Sequence, residues 1–316
     1  MIANPIDSWA PSYLTFSSNM KHDKLVFYMQ NIRSLKESDR DDVLEIAKNT
    51  WDGHDYLPYF FDGWLKDKNS HTAAIEHNGR VISLANLRVI ENGRTGWMEG
   101  LRVHPDYRGK GLASIITKHV VDIAKEIKVE RIRYTTATDN QSSLHLGEMV
   151  GMERKFDLAF YWHENPHEIV WRTPENTLRE VTPTQLLPGL SESGILPHNV
   201  IIYDWKALDA TPEGLVKIGL TSKFWIQTEA NTIKSFSLGF PRDDKSGQMW
   251  CFTIYASDEA GFLEQFSHHL NQASEAKCDV IFGIFSTNFV NTFYALDWVR
   301  HHEDDTMTLT LLERIL

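Results

Sequence analysis

The segment HPDYRGKGLAS, His104 to Ser114, places two glycines, Gly109 and Gly111, among two cations, Arg108 and Lys110. An apolar run ends just before it and a helical stripe starts just after it. Glycine at such a junction lets consecutive backbone N–H groups converge on one ligand, and the start of the helix adds partial positive charge. A corner of that kind holds an anion. Arg108 can grip a phosphate through two parallel hydrogen bonds, and Lys110 adds a further charge. A nucleotide-triphosphatase loop needs four residues between its first glycine and a closing Gly-Lys-Ser/Thr, and that spacing is absent. A dinucleotide-binding turn needs a third glycine where Ser114 stands, and an acid at the end of the next strand. Glu130 precedes that strand, so this cradle fits poorly. The pattern that is met is Arg-x-x-Gly-x-Ala, through Arg108, Gly111 and Ala113.

The elements that must position this corner follow from periodicity. Leu112, Ile116, Val120, Ile123 and Ile127 form a helical stripe, which predicts a helix from about Gly109 to Ile127. The run GRTGWMEGLRVHP before it reads as a strand. Upstream, LVFYMQNIRSL reads as a strand, and SDRDDVLEIAKNTW as a helix capped by Ser38 or Asp39. YLPYFFDGWL reads as a short aromatic helix with Pro58 in its first turn, and HTAAIEHNGRVISLANLRVI as a hairpin turning at His77-Asn78-Gly79. Downstream, RIRYTT is a strand, NQSSLHLGEMV a short helix and MERKFDLAFYW a strand. The order is βααβββαβαβ, an α/β layout that closes near His163.

Residues 1–25 read as an N-terminal arm, 26–163 as the first domain, 164–198 as a linker with edge elements, and 199–316 as a second α/β domain. The second domain carries strands at NVIIYDW, SKFWIQTE, TIKSFSLGF and QMWCFTIYAS. A helix follows from about Glu259 to Ala273, then a strand, a helix and a closing strand, DDTMTLTLLERI. Its tail order matches the order after Gly96 in the first half. The second domain is therefore either a degenerate repeat of the first or an unrelated α/β domain.

Composition bounds the partners. A chain of 316 residues suggests two domains. The formal net charge of -11 argues against general binding to nucleic acid or to acidic membrane surfaces. The two cysteines, Cys251 and Cys278, sit in apolar runs and read as buried thiols of a reducing compartment. No basic start followed by an apolar run opens the sequence, and no window is long enough for a membrane helix. The expected location is cytoplasmic. The oligomeric state stays open, a homodimer included.

The run MEGLRVHPDYRGKGLAS, Met98 to Ser114, resembles strand four leading into helix three of the GNAT (Gcn5-related) N-acetyltransferases. With the element order, the resemblance covers about residues 26–163. It implies a GNAT fold, a mixed central sheet flanked by helices, with acetyl-CoA as cosubstrate and no metal. It implies that the N–H groups of Arg108, Gly109, Lys110, Gly111, Leu112 and Ala113 hold the pyrophosphate. It also implies that Leu101, Arg102 and Val103 lie along the pantetheine arm, with Leu101 and Val103 pairing through their backbones.

Acetyl transfer needs a deprotonated amine, a polarised carbonyl, alignment, and tolerance of the departing thiolate. Many members of the family carry an acid at the place of Glu99, so Glu99 is the candidate base. Strand alternation puts it on the side of Leu101 and Val103; the competing reading is an ordinary strand carboxylate paired with Arg102 or Arg133. A second family pattern, NxxxxxxYxxxGF, is matched by Asn140 and Gly151, with Met152 in place of Phe and Gly147 in place of Tyr. Asn140 is thereby expected near the cofactor, while the hydroxyl that protonates the thiolate is missing. Water, His145, Tyr134 and Tyr161 are the alternatives.

The segment TWDGHDYLPYFFDGWL is where the family walls its acceptor site. Asp52 and Asp55 can pair with a cationic amine, and Tyr56, Tyr59 and Trp64 can stack on a ring or alkyl chain, the competing reading for Trp64 being core; Phe60 and Phe61 read as core. The DYLP run with a downstream WL, and the long C-terminal half, resemble the histidine N-acetyltransferase branch of the family, which implies a free amino acid as acceptor. His163 with His167, and the RHHEDD run, read as solvated turns and not metal ligands. The leading expectation is a small-molecule N-acetyltransferase. The alternatives are acetylation of a protein or peptide amine, and a CoA-binding regulatory module without turnover.

Overall fold

The computed structural model describes residues 31–48, 50, 55–169, 178–244, 247–299 and 307–316. The expected arm at 1–25, Asp52 and the RHHEDD histidines lie outside them. Two compact units result. One holds the described residues up to Arg88 together with Met98–Lys128; the other holds Val89–Trp97 and the described residues from Val129 on. The expected divisions at 163 and 199 do not coincide with this partition.

The first unit runs β1 (Ile32–Ser34), α1 (Arg40–Ala47), α2 (Leu57–Lys66), β2 (Ser70–His77), β3 (Arg80–Ile90), the greater part of β4 (Thr95–Val103) and α3 (Leu112–Glu126). Its strands are ordered β1-β2-β3-β4. Asn78 and Gly79, both at positive φ, make the two-residue turn between β2 and β3. Asp39 does not cap α1 with its side chain. Its carboxylate instead accepts the Lys36 N–H at 2.7 Å and is clamped by Arg33. Val43, Ile46, Leu57, Phe61 and Trp64 of the two helices bury against Ala74, Val81 and Leu84 of the strands.

Two expectations for α3 need correction. The helix starts at Leu112 rather than Gly109, because Gly109 and Gly111 hold left-handed φ values of 72° and 80° that no helical turn accepts. Its buried face runs Leu112, Ile116, Val120 and Ala124, with Ile115 and Val121 beside it. Ile127 is left 38% exposed, because a strict four-residue step carries the face to Ala124.

The second unit runs β5 (Arg131–Ala137), α4 (Gln141–Met149), β6 (Glu153–Glu164), β7 (Arg179–Val181), α5 (Pro183–Ser193), β8 (Val200–Tyr203), β9 (Lys206–Asp209), α6 (Pro212–Gly219), β10 (Lys223–Glu229), β11 (Thr232–Asp244), β12 (Gly247–Ala256), α7 (Glu259–Glu275), β13 (Val280–Ser286), α8 (Val290–Tyr294) and β14 (Thr308–Ile315). The stretch 164–198 holds β7, at the edge of the sheet, and α5. β7 pairs with β10, and Leu186 and Leu190 of α5 are core. The sequence signals for β9, α5 and α6 were too short or too mixed in period to predict.

The C-terminal half does repeat the fold. In the first half β3 precedes β4, and β4 runs parallel to β5; in the second, β11 precedes β12, and β12 runs parallel to β13. The closing strands are exchanged between the halves. β14, the last strand of the chain, lies between β5 and β6 and pairs antiparallel with both. β6, the last strand of the first half, pairs in turn with β13. Around β14 a buried ion network gathers. Arg131 meets Glu91 and Asp209, and Arg133 meets Asp209 at 2.7 Å and Glu313 at 2.6 Å. Burial pushes the Asp209 carboxyl up, but Arg133 and Arg131 outweigh it and hold it below its usual value.

Candidate active site

At the expected anion corner the Arg108 N–H, one of the donors assigned to the pyrophosphate, already donates to Pro105 O at 3.2 Å. Pro105–Tyr107 make one tight turn, Gly109 reverses the chain, and left-handed Gly111 delivers it into α3. A Cβ on Gly109 would meet nothing, so backbone conformation is what requires glycine there. Among the described residues, no N–H group from Gly109 through Ser114 donates to a protein acceptor, and no side chain caps α3. The first helical N–H with a partner belongs to Ile115, which reaches Gly111 O at 3.1 Å. Six consecutive main-chain donors at a helix start make a concave nest for an anion. Arg108 bends back, its Nε donating to Val103 O, while Lys110 reaches Asp106 O and lies over the Tyr107 ring.

Upstream on β4, Glu99 has none of the ion pairs weighed from sequence. Arg102 is taken by Asp55, and Arg133 by Asp209 and Glu313. Glu99 Oε1 accepts from Trp64 Nε1 at 2.8 Å and from Asn86 Nδ2 at 2.9 Å. Asn86 is wholly buried and is held by Thr72, whose hydroxyl donates to its Oδ1 at 2.8 Å. Oε2 has no hydrogen-bond partner among the described residues. One carboxylate oxygen is thus anchored and the other is available to take a proton. Asn86 was missed as a site residue, and Trp64, weighed only for stacking or core, instead donates to Glu99. The available signal was an amide inside the apolar run ISLANL, since a buried amide in a strand must have partners.

Gly100 interrupts the alternation assumed along β4. Its φ is +69°, so strand parity does not relate Glu99 to Leu101 and Val103. The Trp64 ring packs on its Cα so closely that any Cβ would overlap the indole. The Gly100 N–H donates to the Tyr56 hydroxyl at 3.0 Å. β4 pairs with β5 only over Thr95–Trp97.

Asp55 and Tyr56 face inward. Asp55 is 2% exposed, accepts the Leu57 N–H at the start of α2, and takes Arg102 through two hydrogen bonds of 2.8 and 3.1 Å. The Arg102 guanidinium lies 5.2 Å from the Tyr56 ring centre, and its Nη1 donates to Leu101 O. Burial pushes the Tyr56 hydroxyl above its usual value. This set ties the start of α2 to the strand that carries Glu99.

In the second unit, Asn140 caps α4, its side chain accepting the Ser143 N–H at 3.1 Å. The glycine at 147 has a steric cause: a Cβ there would overlap the Tyr134 hydroxyl and lie 2.7 Å from Leu312. Tyr134 Oη fills that space and donates to Ser143 O at 2.7 Å. His145 is exposed on α4, and Tyr161 is buried in the aromatic core of the C-terminal half, 4.8 Å from Phe293 between ring centres.

The parallel start of β4 and β5, the left-handed break in β4 beside an anchored carboxylate and the glycine turn opening α3 are features of the GNAT acetyltransferase fold. Residues 36–152 match the acetyltransferase (GNAT) family, and the chain is an acyltransferase. Residues 174–287 match the C-terminal domain of histidine N-acetyltransferase. Among curated relatives, histidine N-acetyltransferase of Oreochromis niloticus is 27% identical over 262 residues, covering 75% of this chain and 77% of that protein. Among solved structures, a GCN5-related N-acetyltransferase from Sphaerobacter thermophilus is 10% identical with a TM-score of 0.56, covering 90% of this chain and 95% of that one. A tandem GNAT protein from the clavulanic acid biosynthesis pathway is 12% identical with a TM-score of 0.54, covering 90% and 98%. Both share the fold.

Proposed function

We propose that this acyltransferase moves the acetyl group of acetyl-CoA onto the amine of a free α-amino acid, with histidine the first acceptor to test. The observation that carries the cosubstrate is the row of six unpartnered N–H groups from Gly109 through Ser114, which suits a diphosphate. The acceptor class draws support from the match over residues 174–287 and from the curated relative. Leu101 and Val103 would lie along the pantetheine arm, leading the thioester toward Glu99. Glu99 Oε2 takes the proton of the acceptor ammonium, the freed nitrogen attacks the thioester carbonyl carbon, and the C–S bond breaks to release CoA thiolate. The second proton of the attacking nitrogen passes through water to the thiolate, so the products are the N-acetyl amino acid and CoA.

The test is thiol release from acetyl-CoA against a panel of histidine, other amino acids, diamines, aminoglycosides and basic peptides. Turnover led by free amino acids supports the proposal. Turnover led by peptides overturns the acceptor class. Tight binding of acetyl-CoA with no turnover on any member would leave a binding module.

A further inference from the structure

We infer that Arg88 on β3 receives the acceptor's carboxylate, an inference that rests on the acceptor class proposed above and assigns the residue that selects it. β2 and β3 pair so that Thr72 faces Asn86 and Ser70 faces Arg88. Asn86 and Arg88 stand two residues apart and so share a face, about 6.6 Å apart along the strand. Asn86 Nδ2 reaches Glu99 on one side and Ser70 Oγ, at 3.4 Å, on the other. Glu99, Asn86, Ser70 and Arg88 therefore form one polar strip, with a carboxylate at one end and a guanidinium at the other.

The guanidinium is oriented but not saturated. Arg88 Nε donates to Asp67 Oδ2 at 3.0 Å, just past the end of α2, and Nη1 and Nη2 meet no acceptor among the described residues. The side chain remains 32% exposed. Arg33 on β1 is held by Asp39 and Glu76, and Arg102 by Asp55, so neither presents an open fork. An α-amino acid carries its amine and carboxylate on one carbon. With the amine on Glu99 Oε2 and the carboxylate on the Arg88 fork, each charged end of the amino acid meets an opposite charge through hydrogen bonds of about 2.8 Å. An amine without a carboxylate gains only the Glu99 end.

The experiment compares kcat/KM for histidine and for histamine, which lacks the carboxylate, in the wild type, Arg88→Gln and Arg88→Lys. Loss of a charge-assisted fork is expected to lower the histidine-to-histamine ratio about tenfold or more in Arg88→Gln, through the KM for histidine, with Arg88→Lys intermediate. Arg88→Lys keeps an ion pair to Asp67 and serves if Arg88→Gln does not fold. If the wild type acetylates histidine and the ratio is unmoved by either variant, the assignment of Arg88 is overturned while the acceptor class stands. If the wild type acetylates amines but no α-amino acid, both fall together.

Discussion

At Glu99 the surroundings matter as much as the carboxylate. Trp64 and Asn86 both donate to Oε1, which fixes the side chain and leaves Oε2 to accept a proton. Glu99→Gln is expected to lower kcat about 10²- to 10⁴-fold, the usual contribution of a positioned base, while the Kd for acetyl-CoA measured by calorimetry stays unchanged. An unchanged kcat would remove Glu99 from the chemistry. Gly147 is required by packing against Tyr134 and Leu312. Gly147→Ala is expected to cost about 1–3 kcal/mol by overpacking, seen as a lowered midpoint in urea, and Tyr134→Phe in the same chain should recover part of it. If Gly147→Ala unfolds at the wild-type midpoint, the close packing of the Tyr134 hydroxyl is wrong.

Among elements, the two repeats differ where an acyl-CoA would have to sit. In the first, α3 opens without a side-chain cap, and β4 stays paired with β5 for three positions. In the second, the Asp258 carboxylate accepts the Gly261 N–H at 2.8 Å, placing an anion where a phosphate would need to be. β12 and β13 also remain paired over six positions, Met249 to Ile254. One CoA per chain is therefore expected by calorimetry, and a stoichiometry of two would contradict this reading. Gly111→Ala forces a side chain into a left-handed conformation at about 1–2 kcal/mol. It is expected to weaken CoA binding, while Asp258→Ala should leave that Kd unchanged.

For the whole molecule the decisive element is β14. It supplies hydrogen-bond partners to β5 on one edge and β6 on the other, and Leu309, Leu311 and Leu312 are buried within it. A chain ending at Glu164 would present two unpaired strand edges and lose Glu313 from the Arg133 site. Such a chain is expected to aggregate, or to show no cooperative thermal transition by circular dichroism. Restoring residues 307–316 as a separate peptide is expected to bind it. A truncated chain that melts cooperatively on its own would show that the exchanged strand is dispensable.

Much was legible in the residues alone, because much is local. The Gly109–Gly111 corner, the Asn78–Gly79 turn, Pro58 in the first turn of α2 and the alternation of strands and helices after Gly96 follow from glycine and proline conformations and from hydrophobic period. Period tells which face of a strand is apolar, but not which strand lies beside it. Nothing near Thr308 marks β14 as the neighbour of β5, more than 170 residues earlier. Likewise the partners of Glu99, the capture of Arg102 by Asp55 and the crowding of Gly147 by Tyr134 are set by side chains meeting across elements. The local conformations were determined by the chain's own stereochemistry; the pairing of distant strands, and the side chains that orient the carboxylate, were decided only when burial brought those elements together.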